Sequence, residues 1–268
     1  MIDSRGSGSI EIDVIIPTFQ RFESTLKAVE SALNQTYPVK KIFVIDDGSE
    51  KQIQEKLAES LRFEKVELIL GQRTAHPGRV RNLGLQKSKS DWVAFLDSDD
   101  AWDQEKIELQ VDVIRKHSAR AICTSAKSQN DNSDFGKGNT VVLSKSLLSK
   151  RNVIINSSVL IQRTILDQVN GVSSSFSVRG CEDYATWLRV ASITDWYWLQ
   201  KNLCVYNDES VDSVRLDVEL KENLADLHAQ LDFLSWIISV SNKKKLGVFA
   251  ARKICNLVSH IYMIRINK

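Results

Sequence analysis

Residues 12–116 alternate short apolar runs with stretches of helical periodicity, and that alternation restricts the fold more than any other feature of the chain. Apolar runs at 12–17, 41–45, 66–70 and 93–96 read as strands. Helical spacing separates them: Leu26, Val29 and Leu33; Ile53, Leu57 and Leu61; residues 80–86; and, after the last run, residues 103–116. Ser24 is the expected cap of the first helix. Repetition of this kind predicts a parallel sheet with crossover helices, whose ligands bind beyond the carboxyl ends of the strands.

Polar residues gather at those ends. Thr18, Phe19 and Arg21 follow the first run, Asp46 and Asp47 the second, and Asp97, Ser98, Asp99 and Asp100 the fourth. On an extended backbone Asp97 and Asp99 share one face, so two hard oxygen ligands can hold a divalent cation, and the cation a diphosphate. The same acids equally suit a loop and a helix N-cap. A carboxylate at a strand end can accept from a nucleobase N–H or a ribose hydroxyl, and Arg21, Arg79 or Arg81 can bridge to phosphate. No GxGxxG follows the first strand and no GxxxxGK[ST] occurs, which removes support for a dinucleotide oxidoreductase or a P-loop NTPase. Without a Gly-rich loop, a diphosphate bound here needs the metal.

The second part is mixed. Strands are expected at 119–125 and 156–161, a polar loop at 129–139, and short helices at 144–150 and 163–169. A flexible polar stretch at 173–179 leads into a helix from Glu182, and two short strands follow at 196–199 and 203–206. Glu182 and Asp183 at that helix start either complement its dipole or supply a general base.

Taken together these segments resemble the family-2 inverting glycosyltransferases of the GT-A fold. The residues that carry the resemblance are, in order, Val14 to Arg21 (VIIPTFQR), Leu33 to Pro38 (LNQTYP), Val44 to Ser49 (VIDDGS), Arg81-Asn82-Leu83-Gly84, Phe95 to Trp102 (FLDSDDAW), and Glu182-Asp183-Tyr184 ahead of Trp187-Leu188-Arg189. The resemblance implies an α/β fold, a Rossmann-like and mostly parallel sheet flanked by helices. The domain would span 10–210, with a nucleotide-binding half at 10–116 and an acceptor half at 117–210, between a flexible leader at 1–9 and a helical, basic tail at 211–268. By position, Pro17, Thr18, Phe19 and Arg21 would line the donor nucleotide pocket, with Ser98 beside them. Asp46 or Asp47 would contact the base, Arg81 would sit near the nucleotide, Asp97 would approach ribose or metal, and Asp99 would ligate Mn²⁺ or Mg²⁺. Asp183 would be the catalytic base, with Glu182 as second candidate or acceptor contact. Val80 stands where the family usually has a small residue before the arginine. The implied reaction moves a hexose or N-acetylhexosamine from a UDP-sugar to a hydroxyl and inverts the anomeric centre. In short bacterial members the acceptor is often an O-antigen or other surface-polysaccharide intermediate carried on a lipid diphosphate.

Composition sets limits on partners. Lys+Arg 36 against Asp+Glu 34 leaves a net charge of +2, too balanced for a nucleic-acid binder. The four cysteines form no CxxC pair, so buried free thiols in a reducing compartment are expected. The polar N-terminus has no secretory h-region and no run is long enough to span a bilayer, so a cytoplasmic location is expected. Leucines recur at helical spacing over 216–240, and residues 241–268 hold seven basic and no acidic side chains among apolar ones. That tail is either a helical pair packed on the core or a basic amphipathic element on the anionic inner face of the cytoplasmic membrane. Two further readings compete with a transferase: a haloacid-dehalogenase-like phosphohydrolase, which would carry its Asp-x-Asp on an early strand, and a non-catalytic nucleotide-sugar-binding module.

Overall fold

Among the described residues a nine-stranded sheet is flanked on both faces by helices. The computed structural model describes residues 9–128, 138–206 and 218–240. In chain order the elements begin β1 (Ile12–Thr18), α1 (Glu23–Leu33), β2 (Lys41–Asp46), α2 (Lys51–Ser60), β3 (Val66–Leu70), α3 (Pro77–Lys87), β4 (Trp92–Phe95), β5 (Ala101–Trp102) and α4 (Lys106–His117). They continue with β6 (Ala121–Ser128), β7 (Thr140–Val142), α5 (Lys145–Leu148), β8 (Leu160–Gln162), α6 (Arg163–Gln168), α7 (Glu182–Ile193), β9 (Trp196–Tyr206) and α8 (Val218–Val240). The sheet order is β3-β2-β1-β4-β8-β6-β9-β5, with β7 paired to β9.

The first four strands pair only in parallel among themselves. β1, β2 and β4 are covered on both faces, which is why they read as continuous apolar runs, whereas β3 at the sheet edge is only half-buried. Ile15, Phe43, Ile45, Val93 and Phe95 pack on the side of α3, α6, α7 and α8. Their neighbours Val14, Ile16, Ile42, Val44 and Ala94 pack on the side of α1, α2 and α4. Alternation along each strand thus feeds two cores. Gly84 lets α3 lie close on β1, since a Cβ there would sit 2.6 Å from Ile15 Cγ2. Asp13, the polar residue in β1, is buried but fully used: it accepts from Ser88 Oγ, Lys89 N, Ser90 N and Ser90 Oγ and so closes the turn into β4.

Beyond β4 the sheet turns mixed. β8 runs antiparallel to both β4 and β6, β9 is parallel to β6, and β5 and β7 are antiparallel to β9. Several expectations change here. The two short strands expected at 196–206 are one strand, whose register shifts opposite Thr124, Ser125 and Ala126 absorb the polar residues at its middle. The strand expected from 156 begins instead as a 3-10 turn over Asn156–Ser158, because the buried Ser157 hydroxyl donates to Asp100 and the Ser158 hydroxyl donates back to Ile155 O within the turn. The helix expected from 103 begins at Lys106, since Asp103 N donates to Leu203 O and the chain is still pairing with β9. The first helix is entered through Phe22 with no side-chain cap, so Ser24 does not cap it. α3 starts at Pro77, earlier than expected, with proline suited to the first turn.

Cys123, Cys181 and Cys204 are buried free thiols, as expected. Among the described residues no helix is long and apolar enough to cross a membrane. The leader other than Ser9, the loop at 129–137, residues 207–217 and the basic tail from 241 lie outside the described residues.

Candidate active site

A cleft of about 620 Å³ opens beyond the carboxyl ends of β1, β2 and β4. Pro17, Thr18, Phe19, Arg21, Asp47, Arg81, Asp97, Ser98 and Asp99 all line it, so most of the residues singled out at strand ends meet in one place. The parallel register explains this: β1, β2 and β4 end side by side, and their loops face the same way.

The β1 and β2 loops are built before any ligand arrives. Thr18 Oγ1 lies 2.7 Å from Thr25 Oγ1, and Thr18 O accepts from Asp47 N. Gln20 takes a positive φ of 54° and its N–H donates to Ser49 Oγ. Asp46 is fully buried and not in the cleft lining: it accepts from Gly48 N, Ser49 N, Ser49 Oγ and Gln54 Nε2. Its carboxylate is spent on its own turn, which leaves Asp47 as the second-strand acid that faces the cleft. Asp47 in turn accepts from Thr74 N, Ala75 N and the Arg73 guanidinium. That guanidinium stacks 3.5 Å from the centroid of the Phe19 ring. Arg73 is a cleft residue that the sequence reading missed; nothing in its local pattern marks it, and only the fold brings it to Asp47, 26 residues away. His76 also lines the cleft and was not singled out. Arg79, one of the three candidate phosphate bridges, is exposed and outside the lining, because it sits two positions from Arg81 on α3 and points elsewhere.

Arg81 on α3 links the loop beyond β4 to the start of α7. It is buried; one nitrogen donates to Asp97 Oδ1 at 2.7 Å and another to Glu182 Oε1 at 2.8 Å. Burial alone works against its charge, but Asp97 and Glu182 more than offset that and hold its pKa above the ordinary arginine value. Glu182 spends its other oxygen on Gly180 N, so both of its oxygens are taken. Asp97 also accepts from Asn156 Nδ2, and its own N–H donates to Ser157 Oγ. Asp99 pairs with Arg21 at 3.1 Å. Asp100 turns inward to the Ser157 hydroxyl, next to the Trp102 indole N–H that donates to Ser157 O.

Asp183 sits at the start of α7, one residue on from Glu182 and beside the cleft rather than in its lining. Its oxygens accept from Tyr184 N and Asn152 Nδ2. Desolvation first, then the neighbouring Glu182 charge, push its pKa up to about 7, against the opposing pull of Arg81. A carboxyl poised there can take a proton near neutrality, while both Glu182 oxygens are engaged by Arg81 and Gly180 N.

Among the described residues no group of three or more His, Cys, Asp or Glu side chains forms a metal cage. Asp97 and Asp99 nonetheless fit a hard cation, because Mg²⁺-type ions use one or two carboxylates and complete their shell with substrate phosphates and water.

Comparison with known proteins identifies the family and the fold. The Escherichia coli protein UDP-Glc:alpha-D-GlcNAc-diphosphoundecaprenol beta-1,3-glucosyltransferase WfgD is 25% identical over 179 residues, covering 67% of this chain and 69% of that one. An uncharacterized glycosyltransferase of Rickettsia bellii is 34% identical over 108 residues, 40% of this chain. The chain spans 16% of the length of that relative and 30% of one from Rickettsia felis. Among solved structures, S. aureus TarS 1–349 in complex with UDP-GlcNAc superposes with a TM-score of 0.65 at 14% identity, covering 89% of this chain and 75% of that one, a likeness of fold. The family model for Glycosyl transferase family 2 matches residues 13–178, well over half of the chain, which therefore belongs to that family.

Proposed function

We propose that the domain is an inverting, metal-dependent glycosyltransferase that moves a hexose or N-acetylhexosamine from a UDP-sugar to a saccharide hydroxyl, on an acceptor carried by a lipid diphosphate. The observation that carries the reading is the placement of two acids: Asp99 in the cleft lining beyond β4, and Asp183, with its pKa near 7, beside that cleft at the start of α7. The acceptor class is suggested by the name of the Escherichia coli relative, a glucosyltransferase to a diphosphoundecaprenol-linked sugar. The family match also sets the phosphohydrolase reading aside.

In this reading the uracil stacks at Phe19 and donates to Asp47, with Arg73 re-pairing around it. Asp97 and Asp99 would hold Mn²⁺ or Mg²⁺, which when bound supplies Lewis-acid stabilisation of the diphosphate charge. Asp183 takes the proton of the acceptor hydroxyl as its oxygen bonds to the anomeric carbon. The bond from that carbon to the diphosphate oxygen breaks on the opposite face, and UDP leaves with its electron pair. One displacement inverts the centre, so an α-linked donor gives a β-glycoside. Arg81 and Glu182 act by position, holding Asp97 and the start of α7 at fixed separation. The basic stretch 241–268 would hold the enzyme on the anionic inner face of the cytoplasmic membrane, each basic residue contributing about 1 kcal/mol.

The test is a UDP-sugar screen for metal-dependent hydrolysis and transfer, run beside UDP binding by calorimetry with Mn²⁺ and with chelator. Absence of UDP binding at millimolar concentration with Mn²⁺ present would sink the reading. If UDP binds but no UDP-sugar turns over with any acceptor, and Asp183→Asn changes nothing, the domain is a binding module.

A further inference from the structure

Three of the arginines that line the cleft are already matched to acids: Arg21 to Asp99, Arg73 to Asp47, and Arg81 to Asp97 and Glu182. The fourth is not. Arg179 lines the cleft and is exposed, and its guanidinium makes no ion pair or hydrogen bond among the described residues. It belongs to the segment that enters α7, four positions before Asp183, not to the β1, β2 and β4 ends where the donor's diphosphate is placed in the proposed function.

The segment that carries Arg179 is fastened firmly. Ser173 Oγ and Ser175 Oγ donate to Asp232 on α8 at 3.0 and 2.9 Å. Ser175 O accepts from His76 Nε2 at 2.9 Å. Val178 is fully buried, and Cys181 N donates to Val178 O. Gly180, at φ +90°, lets the chain turn into α7 while its N–H donates to Glu182. Between these anchors the same segment turns Phe176 outward, 79% exposed, more than any other large hydrophobic among the described residues. A fixed loop that shows water one unmatched guanidinium and one bare aromatic ring is preorganised for a ligand with an anionic and an apolar part.

We propose that Arg179 and Phe176 form the docking lip for a phosphate-bearing acceptor, Arg179 gripping the phosphate and Phe176 covering the lipid side of it. The inference rests on the transferase reading and names a recognition element for its acceptor. A guanidinium fork matches phosphate oxygens two at a time, and among the described residues no carboxylate is paired with it in competition. Seated there, the phosphate would place the attached sugar towards Asp183.

The test uses the full chain saturated with UDP and Mn²⁺, so that the donor's own phosphate subsite is filled. Three probes are compared by calorimetry: N-acetylglucosaminyl-diphosphoryl-undecane, the undecyl glycoside of the same sugar without phosphates, and N-acetylglucosamine 1-phosphate. Arg179→Ala should weaken the diphosphate probe by about tenfold or more, with Arg179→Lys recovering part of the loss and UDP affinity unchanged. The phosphate-free glycoside should bind wild type and Arg179→Ala alike. Phe176→Ala should weaken only the lipid-bearing probe, by about threefold. If N-acetylglucosamine 1-phosphate binds as tightly as the lipid probe, Arg179 serves a soluble sugar phosphate and the role given to Phe176 is wrong. If the wild type binds UDP but not the diphosphate probe, if Arg179→Ala binds the probe like wild type, or if it loses UDP affinity instead, the inference is overturned. Failure of the wild type to bind UDP would overturn the transferase reading itself, a separate result.

Discussion

The two walls of the cleft treat charge in opposite ways. On the wall made by the ends of β1, β2 and β4, carboxylates are matched by arginine, Asp99 by Arg21, Asp47 by Arg73 and Asp97 by Arg81. On the wall made by the entry to α7, Asp183, beside the lining, is pushed up to a pKa of about 7, and Arg179 makes no ion pair among the described residues. A matched wall is stable while empty and must trade partners when a charged ligand arrives. On the α7 side the pull of Arg81 on Asp183 is outweighed by desolvation and the Glu182 charge, so that carboxyl keeps its reactive character. In the proposed reaction the first is the place for a diphosphate and its metal, and the second for proton transfer and acceptor recognition.

The largest effect should come from breaking the α7 wall alone. Asp183→Asn should lower turnover with a UDP-sugar by roughly 10²–10⁴-fold, with UDP affinity unchanged by calorimetry. In the wild type, kcat/KM should rise with pH until about 7 and then level, because the base works only deprotonated. Stability carries the reverse sign. The folded pKa lies above the ordinary value of 3.8, so this group's contribution falls as pH rises from about 3.8 to about 7. Asp183→Asn should remove that decline and be no less stable than wild type at pH 8 in a thermal melt. An equal loss of UDP affinity in the variant would erase the distinction between the walls.

Next in size is the residue that joins them. Arg81→Met leaves the buried Glu182 without its counter-charge and should cost about 3–5 kcal/mol in urea unfolding. A wild-type midpoint would mean that the halves are not held together there. Asp99→Ala, on the matched wall, should reduce Mn²⁺-dependent UDP affinity by at least about tenfold while leaving affinity in chelator unchanged.

The smallest effect lies away from both walls. Lys106 is fully buried; its Nζ donates to Gln110 Oε1 and lies 4.1 Å from the Trp102 ring centroid. Desolvation drives its pKa down to about 7, against a weaker opposing pull from Cys204 and Cys123. From about 7 to 10.5 the unfolded chain holds a proton that the folded chain lacks, so this contribution to stability grows as pH rises through that window. Lys106→Met should flatten the slope and add roughly 1 kcal/mol at pH 7, with UDP affinity unmoved. A retained slope would locate the titration in another group.

What the sequence made legible divides along the same line. In the parallel block, β1, β2 and β4, buried on both faces, announce themselves as apolar runs, and even the half-buried edge strand β3 matches its expected span at Val66–Leu70. Past β4, strands pair with distant partners in mixed directions, and length stops being a guide. β5 has two residues and β7 three, too few to show a period. β9 carries Gln200, Lys201 and Asn202 through its middle, which reads as a break until the register shift against β6 is seen. Among the site residues, acids at strand ends were visible because β1, β2 and β4 stop together. The division of labour between Asp46 and Asp47 was not visible, and that between Glu182 and Asp183 was ranked only through the family resemblance. Adjacent acids look alike in sequence, and their partners separate Asp46, locked in its own turn, from Asp47 in the cleft lining, and Glu182, tied to Arg81, from Asp183 beside it.

The bridge through Arg81 has a consequence for recombining this domain with its relatives. A graft that keeps residues up to 117 and replaces the remainder takes Arg81 from one parent and its partner at position 182 from the other. The crossover would fall in a surface connection between α4 and β6, where a splice looks harmless. Yet the fusion would unite two halves whose buried charges were never selected together. Chimeras should therefore sort by whether the incoming half brings a carboxylate at 182, whatever its similarity elsewhere, and a specificity swap between relatives should begin by keeping that one pair intact.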